Sequence, residues 1–323
     1  MSARLLATGI YLPEKSVPVA SLLPDGVDSY QSDVVGIHSV RRAAPDEHAS
    51  DLAIKAGREA LKASALDPRD IDVVIYCGIG VNDRGFWSPA ARIQHELGAS
   101  RAFAFDVYQG CVNTILALKL ARDMLNANEK LGVVLIVAGC RVEDVIPGRT
   151  TGNTFYSDGG AAALVVRDGD DWVIGDAYFE TDGYFHDVFY SGSGGTIAPP
   201  THPDSLVGYG VQNREKQKID LKPVFDEKLI GVIERLAGHL SHREIYVNLF
   251  NYNRRLTATL NSRFAGRVSG WLASYESYGH MGPCDPILNL HLAREQHQIP
   301  PGAVVINVAA GIGMTWGGCA IEH

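Results

Sequence analysis

The sequence predicts an α/β fold made of two similar halves. Three observations lead to this prediction: strand-like and helix-like segments alternate, several strands are apolar at nearly every position, and the alternation restarts in the second half. Residues 72–78, DVVIYCG, form such a strand, because a sheet covered on both faces needs apolar residues throughout. The 323 residues suffice for two domains, which we expect at residues 1–170 and 171–323.

In the first half, predicted helices separate the strands. The predicted strands cover residues 4–11, 72–78, 102–107, 132–138 and 160–166, and the predicted helices cover residues 50–64, 89–97 and 112–125. Ser50 is expected to cap the first of these helices. The strand at 160–166 and the next one, at 172–179, are expected to form an antiparallel pair.

The second half begins with loops and then repeats the same pattern. A Gly/Ser/Pro-rich loop at 191–203 and a polar stretch at 212–222 come first. The predicted elements that follow are helices at 223–240, 254–264 and 286–297, a strand at 244–249, and a closing hairpin of strands 304–308 and 314–321.

Composition and charge exclude several classes of protein. A net charge of −8 disfavours a duplex nucleic-acid binder, which usually carries a basic excess. No apolar run approaches the ~18 residues of a membrane span. The cysteines are scattered and odd in number, without a CxxC pair, which argues against a disulfide framework or a structural metal site: Cys77, Cys111, Cys140, Cys284 and Cys319. We therefore expect a reduced, cytoplasmic protein with no metal.

Cys111 stands out in the stretch FDVYQGCVNTILALKLARDML. A strand ends before it, Gly110 allows a tight turn, and a long apolar helix follows. The positive end of a helix dipole favours a thiolate, and the backbone N–H of Cys111 would point towards an oxyanion. The alternative is a small buried apolar residue, which describes most free cysteines. Cys77, Cys140 and Cys319, in or beside apolar strands, fit that alternative better than Cys111 does.

Two further stretches supply candidate partners for Cys111. In GIGMTWGGCAIEH, Gly311 and Gly313 would let a ligand approach the backbone, and the N–H of Ile312 would be a second oxyanion donor. In SYGHMGPCD, His280 precedes Asp285 by five residues. Taken alone, the first stretch also fits an ordinary turn, and the second fits a histidine with no catalytic role.

Three stretches together resemble the thiolase-fold β-ketoacyl-ACP synthase III enzymes: FDVYQGCVNTILAL, YSDGGAAALVV and GIGMTWGGCAIEH. The resemblance implies a thiolase-like five-layer αβαβα fold with two pseudo-duplicated halves, and a homodimer. It implies that Cys111 takes an acyl group from a thioester. The substrate would be acyl-ACP or acyl-CoA, an acyl carrier protein would be the partner, and no cofactor would be tightly bound.

The chain departs from this family at the residues that flank the cysteine. Condensing members use a histidine and an asparagine to stabilise the enolate formed by decarboxylation of a malonyl thioester. In the alignment Leu249 takes the place of the histidine, with Asn251 and Asn253 nearby as candidate substrate-binding residues. His280 takes the place of the asparagine.

With Asp285, His280 resembles the base of a Cys-His-Asp triad, as in a divergent branch of acyltransferases and starter-unit enzymes of secondary metabolism. Asp285 would alternatively cap the next helix. The resemblance favours an acyltransferase that passes an acyl group from Cys111 to a hydroxyl, an amine or another nucleophile. One alternative is a decarboxylative β-ketoacyl-ACP synthase III that forms a C–C bond, and another is a non-catalytic partner subunit of a heterodimer.

Candidate residues for donor and acyl binding follow from the same comparison. Tyr30 and Arg149 lie near the family positions that grip the adenine of CoA, and Arg254 and Arg255 are candidates for docking an acidic carrier protein. A second basic cluster is interpreted as ordinary loop charge: Arg214, Lys216, Lys218 and Lys222. Aromatic residues are candidates for the lining of an acyl channel: Phe86, Trp87, Phe155 and Tyr156.

Overall fold

The computed structural model of the chain describes residues 2–23, 35–80, 82–143, 145–151, 154–197, 208–238, 240 and 243–323. The first half supplies the strands β1 Ala3–Tyr11, β2 Lys15–Pro18, β3 Ser39–Arg42, β4 Val73–Gly78, β5 Phe103–Val107, β6 Val133–Cys140 and β7 Gly159–Arg167. The second half supplies β8 Val173–Thr181, β9 Phe189–Ser191, β10 Tyr209–Val211, β11 Ile245–Leu249, β12 Gly270–Leu272, β13 Val304–Gly311 and β14 Thr315–Glu322.

The main sheet consists of two half-sheets with the same strand order. Within the described residues the order is β12-β11-β13-β14-β8-β1-β7-β6-β4-β5. Each half contributes five strands to this sheet. From the middle of the sheet outward, both halves have the same order: the first of these five strands in the chain, then the fifth, the fourth, the second and the third. A single registered pair, Arg4 with Val173, joins β1 to β8. The repeat therefore passes from the first unit to the second between β7 and β8.

The predicted pairing of the strands at 160–166 and 172–179 is wrong. β1 lies between β7 and β8, and it pairs with β7 over nearly its whole length. β8 pairs with β14 instead. The hydrophobic pattern identified each strand correctly, but it does not indicate which strands are hydrogen-bonded neighbours in the sheet. The predicted closing hairpin is confirmed, since β13 and β14 are antiparallel neighbours.

The helices complete five layers. They are α1 Ala49–Ser64, α2 Pro89–Leu97, α3 Asn113–Ala127, α4 Lys222–Ala237, α5 Arg254–Arg263, α6 Tyr275–Tyr278 and α7 Asp285–Glu295. Helices α3 and α7 contact strands of both half-sheets and form the central layer. Helices α1 and α2 cover the outer face of the first half-sheet, and α4, with α5 beside it, covers that of the second.

The alternation of side chains along the strands explains why both faces of the sheet are covered. In β6, Val134 and Ile136 belong to the large core around the central helices, whereas Leu135 and Val137 belong to the core beneath α1. All four are fully buried. Because both faces are buried, β6 has to be apolar at consecutive positions, as the sequence indicated.

The predicted cap of the first helix is wrong by two residues. Helix α1 begins at Ala49 with His48 as its N-cap, and the backbone N–H of His48 donates to the carboxylate of Asp51. Ser50 instead donates its hydroxyl to Asp83. Within the described residues, none of the helices combines the length and the apolar character needed to cross a membrane.

Candidate active site

Cys111 lies in the turn between β5 and α3. Residues Gly110–Val112 form one 3-10 turn, and α3 begins at Asn113. Gly110 has a φ of 62°, and a Cβ there would lie 2.8 Å from the backbone nitrogen of Ile312. Glycine is needed here for its backbone conformation and for the close approach of the C-terminal glycine loop.

Side chains around the turn fix its position. The amide of Asn113 accepts the N–H of Gln109 and donates to the carbonyl of Gly78 at 2.6 Å. The hydroxyl of Thr114 donates to the carbonyl of Pro283 at 2.7 Å, which ties α3 to the segment that carries His280. The reactive sulfur is therefore held from both halves of the chain.

The three residues Cys111, His280 and Asp285 are in contact. The Sγ of Cys111 lies 3.2 Å from Nε2 of His280, and Nδ1 of His280 lies 2.5 Å from Oδ2 of Asp285. The Asp285 carboxylate also accepts the N–H of Met281 at 2.7 Å and that of Asn251 at 2.9 Å. Its hydrogen bonds go to these groups and not to the N–H groups of α7, whose N-cap is Cys284.

The electrostatic surroundings favour a protonated His280. The residue is almost fully buried, and burial alone would lower the pKa of its imidazole. The nearby charges of Asp285 and Cys111 outweigh that penalty and raise the pKa of His280 to about 10. The arrangement therefore places a protonated imidazole beside the sulfur of Cys111.

The backbone of the first half holds His280 in place. The N–H of His280 donates to the carbonyl of Phe155, and the N–H of Ser157 donates to the carbonyl of His280, both at 2.9 Å. Gly279, with a φ of 63°, packs so closely that a Cβ would lie 2.8 Å from the Phe155 carbonyl oxygen. Sequence reasoning missed this clamp, because backbone pairing between distant loops leaves no residue-type signal.

Two aromatic rings enclose the imidazole. The ring centroid of Tyr156 lies 5.1 Å from that of His280, and the ring centroid of Phe250 lies 5.6 Å away in an edge-on arrangement. The alignment placed Leu249 at the position of the family's histidine. In the structure the ring beside His280 at this place is that of Phe250, whereas Leu249 is buried in the core at the end of β11.

Of the two predicted substrate-binding asparagines, Asn253 lines the cleft described below, and the side chains of both form hydrogen bonds with neighbouring segments. The Asn251 amide exchanges two hydrogen bonds with Ser274, and the Asn253 side chain accepts the N–H of Leu256 at the start of α5. Phe155 packs in a separate apolar cluster with Val40 and other residues. These side chains contribute to the framework around His280.

The C-terminal glycine loop, Gly311–Gly313, lies against the nucleophile turn, Gly110–Val112, which carries Cys111. A Cβ on Gly311 would lie 2.2 Å from the carbonyl oxygen of Gln109, so this position allows no side chain. Ile312 follows, with its backbone nitrogen next to Gly110. Gly313 has open space around it, with a φ of 119°. The geometry brings the N–H of Ile312 beside the turn that carries Cys111.

A cleft of about 850 Å³ opens beside this group. Tyr252 lines it, and the Tyr252 ring lies 5.6 Å from that of Phe250, which touches His280. Thr151 also lines it and is hydrogen-bonded to Tyr156 at 3.1 Å. One aromatic side chain, that of Phe250 on one side and that of Tyr156 on the other, therefore lies between the residues that line the cleft and His280.

Three cations, Arg214, Lys218 and Lys222, line this cleft four residues apart along the helical segment that leads into α4. The sequence interpretation treated them as ordinary loop charge. Their spacing on one helical face was the signal that could have identified them. Arg255 lines the cleft as well and forms an ion pair with Asp226 at 2.8 Å.

The other predicted binding residues lie elsewhere. Arg149 is buried between Glu143 and Asp158, with 2.8 Å to the latter. Arg254 pairs with Glu276 at 3.2 Å on the surface. Trp87 lines a second cavity together with exposed Phe86, and Tyr30 lies outside the described residues. In the part of the chain that the structure describes, no cluster of three or more His, Cys, Asp or Glu is arranged to bind a metal ion.

The chain is similar to known proteins of one family. Residues 105–183 match the family model for 3-oxoacyl-[acyl-carrier-protein (ACP)] synthase III, and residues 239–323 match the model for the C-terminal part of the same enzyme. A β-ketoacyl-[acyl-carrier-protein] synthase III from Caldanaerobacter subterraneus subsp. tengcongensis is 29% identical, covering 100% of this chain and 98% of the relative.

Solved structures share the fold of this chain. The corresponding synthase III of Thermus thermophilus superposes with a TM-score of 0.83 at 26% identity, covering 99% of each chain. ChlB3, described as an acyltransferase, superposes with a TM-score of 0.85 at 20% identity, covering 100% of this chain and 98% of its own. The chain belongs to the 3-oxoacyl-(acyl-carrier-protein) synthase III-like family of enzymes with a thiolase fold.

Proposed function

We propose that this enzyme takes an intact acyl group from a thioester onto Cys111 and passes it to a hydroxyl, an amine or another nucleophilic acceptor. The observation that carries the proposal is the contact of Cys111 with His280 at 3.2 Å, with Asp285 behind the imidazole at 2.5 Å. This arrangement supplies a nucleophile, a general acid–base group and a residue that orients it.

The first half-reaction uses the imidazolium as an acid. The Cys111 thiolate attacks the thioester carbonyl carbon, and the N–H groups of Cys111 and Ile312 are proposed to hold the oxyanion. When the tetrahedral intermediate collapses, the carbon–sulfur bond to the donor breaks. The departing thiolate takes the proton of His280, which leaves acyl-Cys111 beside a neutral imidazole.

The second half-reaction uses the same histidine as a base. Neutral His280 takes the proton of the acceptor O–H or N–H as that group attacks the acyl-Cys111 carbonyl. The bond between the acyl carbon and Sγ then breaks, and the thiolate–imidazolium pair is restored. One histidine serves both steps because Asp285 stabilises its protonated form.

The residues around His280 support transfer without decarboxylation. A malonyl enolate is stabilised by two hydrogen-bond donors directed at one carbonyl oxygen in the condensing members of this family. Here the neighbouring side chain is that of Phe250, whose ring centroid lies 5.6 Å from that of His280. The ring of Phe250 cannot donate a conventional hydrogen bond to an enolate oxygen.

A second candidate function is decarboxylative condensation. Relatives that match over the full length of the chain are named β-ketoacyl-[acyl-carrier-protein] synthase III, and these names support condensation better than transfer to an alcohol or an amine. In that case Nε2 of His280 would donate to the enolate. The third alternative, a non-catalytic subunit, is less well supported, because a Cys111–His280 contact has no use in a silent protein.

We propose an acyl carrier protein or CoA thioester as the donor, and no tightly bound cofactor. The row Arg214, Lys218 and Lys222 beside the cleft suits an acidic carrier or the phosphate of its prosthetic group. Arg149 would contribute little to binding CoA, since its guanidinium is buried against Glu143 and Asp158. Arg254 and Arg255 would act at the outer rim, where both already have acidic partners.

We propose a homodimer that forms along strand β5. This strand is the end of the main sheet, and one of its edges has no partner strand among the residues that the structure describes. Phe103 on β5 is 65% exposed, and the neighbouring Tyr108 is 61% exposed. Aromatic side chains on an open strand edge are typical of a surface that pairs with a second copy.

The deciding experiment follows intact-protein mass together with carbon dioxide release, using malonyl and short-chain acyl thioesters on an acyl carrier protein. Stable acylation of Cys111 without carbon dioxide release, followed by loss of the acyl mass when an alcohol or amine is added, supports acyl transfer. Carbon dioxide release with a lengthened ketoacyl product would establish condensation instead. The variant C111A controls for acylation at other residues.

A further inference from the structure

Helix α7 presents two buried polar side chains on one face. Asp285 and Asn289 are four residues apart, so their side chains lie one turn above each other. Asp285 faces His280, whereas Asn289 donates to the carbonyl of Leu249 at 2.9 Å and accepts the hydroxyl of Ser274 at 2.6 Å. The helix that carries the acid therefore also holds the loop that follows β11.

That loop returns a hydrogen bond to the acid. The N–H of Asn251 donates to Oδ2 of Asp285 at 2.9 Å. The side chain of Asn251 is fixed by Ser274: its amide donates to the Ser274 hydroxyl at 3.0 Å and accepts the Ser274 N–H at 2.9 Å. A closed path of hydrogen bonds thus runs from Asn289 on α7 through Ser274 and Asn251 and back to Asp285 on the same helix.

We propose that Asn251, Ser274 and Asn289 are positioning residues that hold the carboxylate of Asp285 against His280. None of the three is in hydrogen-bond contact with Cys111 or His280. Asn251 and Asn289 are almost fully buried, and Ser274 is partly buried. Each has amide or hydroxyl groups that are used within the path, which is the form expected of a support that acts through another residue.

The need for this support follows from the position of Asp285. Its carboxylate is fully buried, and Oδ2 is shared between the His280 ring and the N–H of Asn251. The N–H comes from a loop, and loops are less rigid than helices or strands. If the loop shifts, Oδ2 loses a donor, and the orientation of the carboxylate towards Nδ1 is no longer fixed. Partners that orient a reactive group in this way commonly contribute about 10- to 100-fold to its function.

The test follows acylation of Cys111 by an acyl N-acetylcysteamine thioester across the pH range, by intact-protein mass. The inference rests on the proposed use of His280 as the acid that protonates the leaving thiol. The acylation rate should therefore fall at high pH, as His280 loses its proton. We expect N289L and S274A to move this fall to lower pH by about one unit and to slow acylation about tenfold. S274T keeps the hydroxyl and should recover most of the loss.

Asn307 offers a matched control. It is another buried asparagine on the neighbouring strand β13, and its amide bonds go to Asn248 and to the Cys319 carbonyl. N307L should lower the melting temperature while the pH profile keeps its wild-type shape. Equal slowing in N289L and N307L with unchanged profiles would overturn the inference, because a purely structural role predicts that result. S274A tests the same link if N289L does not fold.

The variant D285N separates this inference from the proposed function. If D285N moves the alkaline fall and N289L and S274A do not, the positioning path is refuted while the role of the His280–Asp285 pair stands. If D285N itself leaves the profile unchanged, then His280 is not the acid of this step, and both the inference and the proposed mechanism fail.

Discussion

At the scale of single residues, the protonation of the site depends on His280. Its ring is enclosed by Tyr156 and Phe250, and its two nitrogens face Cys111 and Asp285. The aromatic enclosure limits access of water. Burial alone would lower the pKa of the imidazole, but the charge of Asp285 raises it. In the proposed mechanism this residue acts first as an acid and then as a base.

Replacement of His280 by asparagine should slow the transfer of the acyl group to an acceptor. Removing a general acid–base group typically lowers the rate by about 10²- to 10⁴-fold, so we expect H280N to lose transfer by that order. Transfer to an alcohol or amine acceptor, measured by product formation, checks this. His291, which is hydrogen-bonded to Thr8 away from the site, gives the control H291N. Undiminished transfer by H280N would refute its role as a base.

The protonation of His280 should also appear in the stability of the fold. Because its pKa is raised on folding, the folded chain binds this proton more tightly than the unfolded chain does. The stabilisation is full below about pH 6.5, the pKa of an ordinary histidine. It is lost as the pH rises towards about 10. The melting-temperature advantage of the wild type over H280N should therefore shrink from low to high pH. A constant difference across that range would contradict the prediction.

The resemblance to the synthase III family predicted that Cys111, His280 and Asp285 meet, because His280 takes the place of the asparagine that flanks the cysteine in that family. The supports of this group could not be predicted. Asn251, Ser274 and Asn289 come from three segments that only the fold brings together, and a buried amide looks the same in a sequence as an exposed one. The alignment places Leu249 at the position of the family's histidine, and the ring that lies beside His280 in the structure is that of the next residue, Phe250.

At the scale of elements, the C-terminal glycine loop and the nucleophile turn have to be packed backbone against backbone. A methyl group on Gly311 would overlap the Gln109 carbonyl at 2.2 Å. We expect G311A to destabilise the fold by about 1–3 kcal/mol and to slow acylation, because the overlap displaces the loop that carries Ile312. Chemical denaturation and the acylation rate measure both effects.

Gly183 provides the control for that substitution. It has open space around its position for a Cβ, and its φ lies outside the left-handed region, so G183A should be nearly neutral in both assays. If G311A were as well tolerated as G183A, the close packing of the two loops would not be required for function.

The helical segment before α4 carries the row of cations beside the cleft. We expect the double variant K218E/K222E to raise the KM for donors bound to an acyl carrier protein, because an acidic partner would then meet like charge. The KM for an N-acetylcysteamine thioester should change little. Lys62, exposed at the end of α1, gives the control K62E. An equal rise in KM for both donors would show that the row acts on the acyl chain or on stability.

The bounds of the predicted helices and strands agreed closely with the structure, whereas one of the two predicted strand pairings and the predicted helix cap were wrong. The helix at 89–97 was predicted to the residue, because Ser88, Pro89 and Gly98 mark its two ends. The interposed strand β1 and the cap at His48 depend on long-range register and on backbone angles, which local residue types do not determine.

At the scale of the whole molecule, the open edge of β5 sets the expected assembly. We predict that F103E weakens a dimer formed along this edge, because the substitution places a charge on an exposed aromatic surface. Light scattering after size-exclusion chromatography measures the change in mass. Tyr190, 49% exposed on β9, supplies the control Y190E. Dimers of equal stability in both variants would place the interface elsewhere.

The nucleophile and its base lie 169 residues apart in the chain, one in each half. During synthesis the ribosome releases the first half, with Cys111, before His280 and Asp285 exist. Contacts of such high sequence separation are also among the last that a folding chain completes. In the proposed mechanism, an immature chain therefore lacks the acid–base group that acyl transfer through Cys111 needs. The proposed reactivity would arise only when synthesis and docking of the second half are complete.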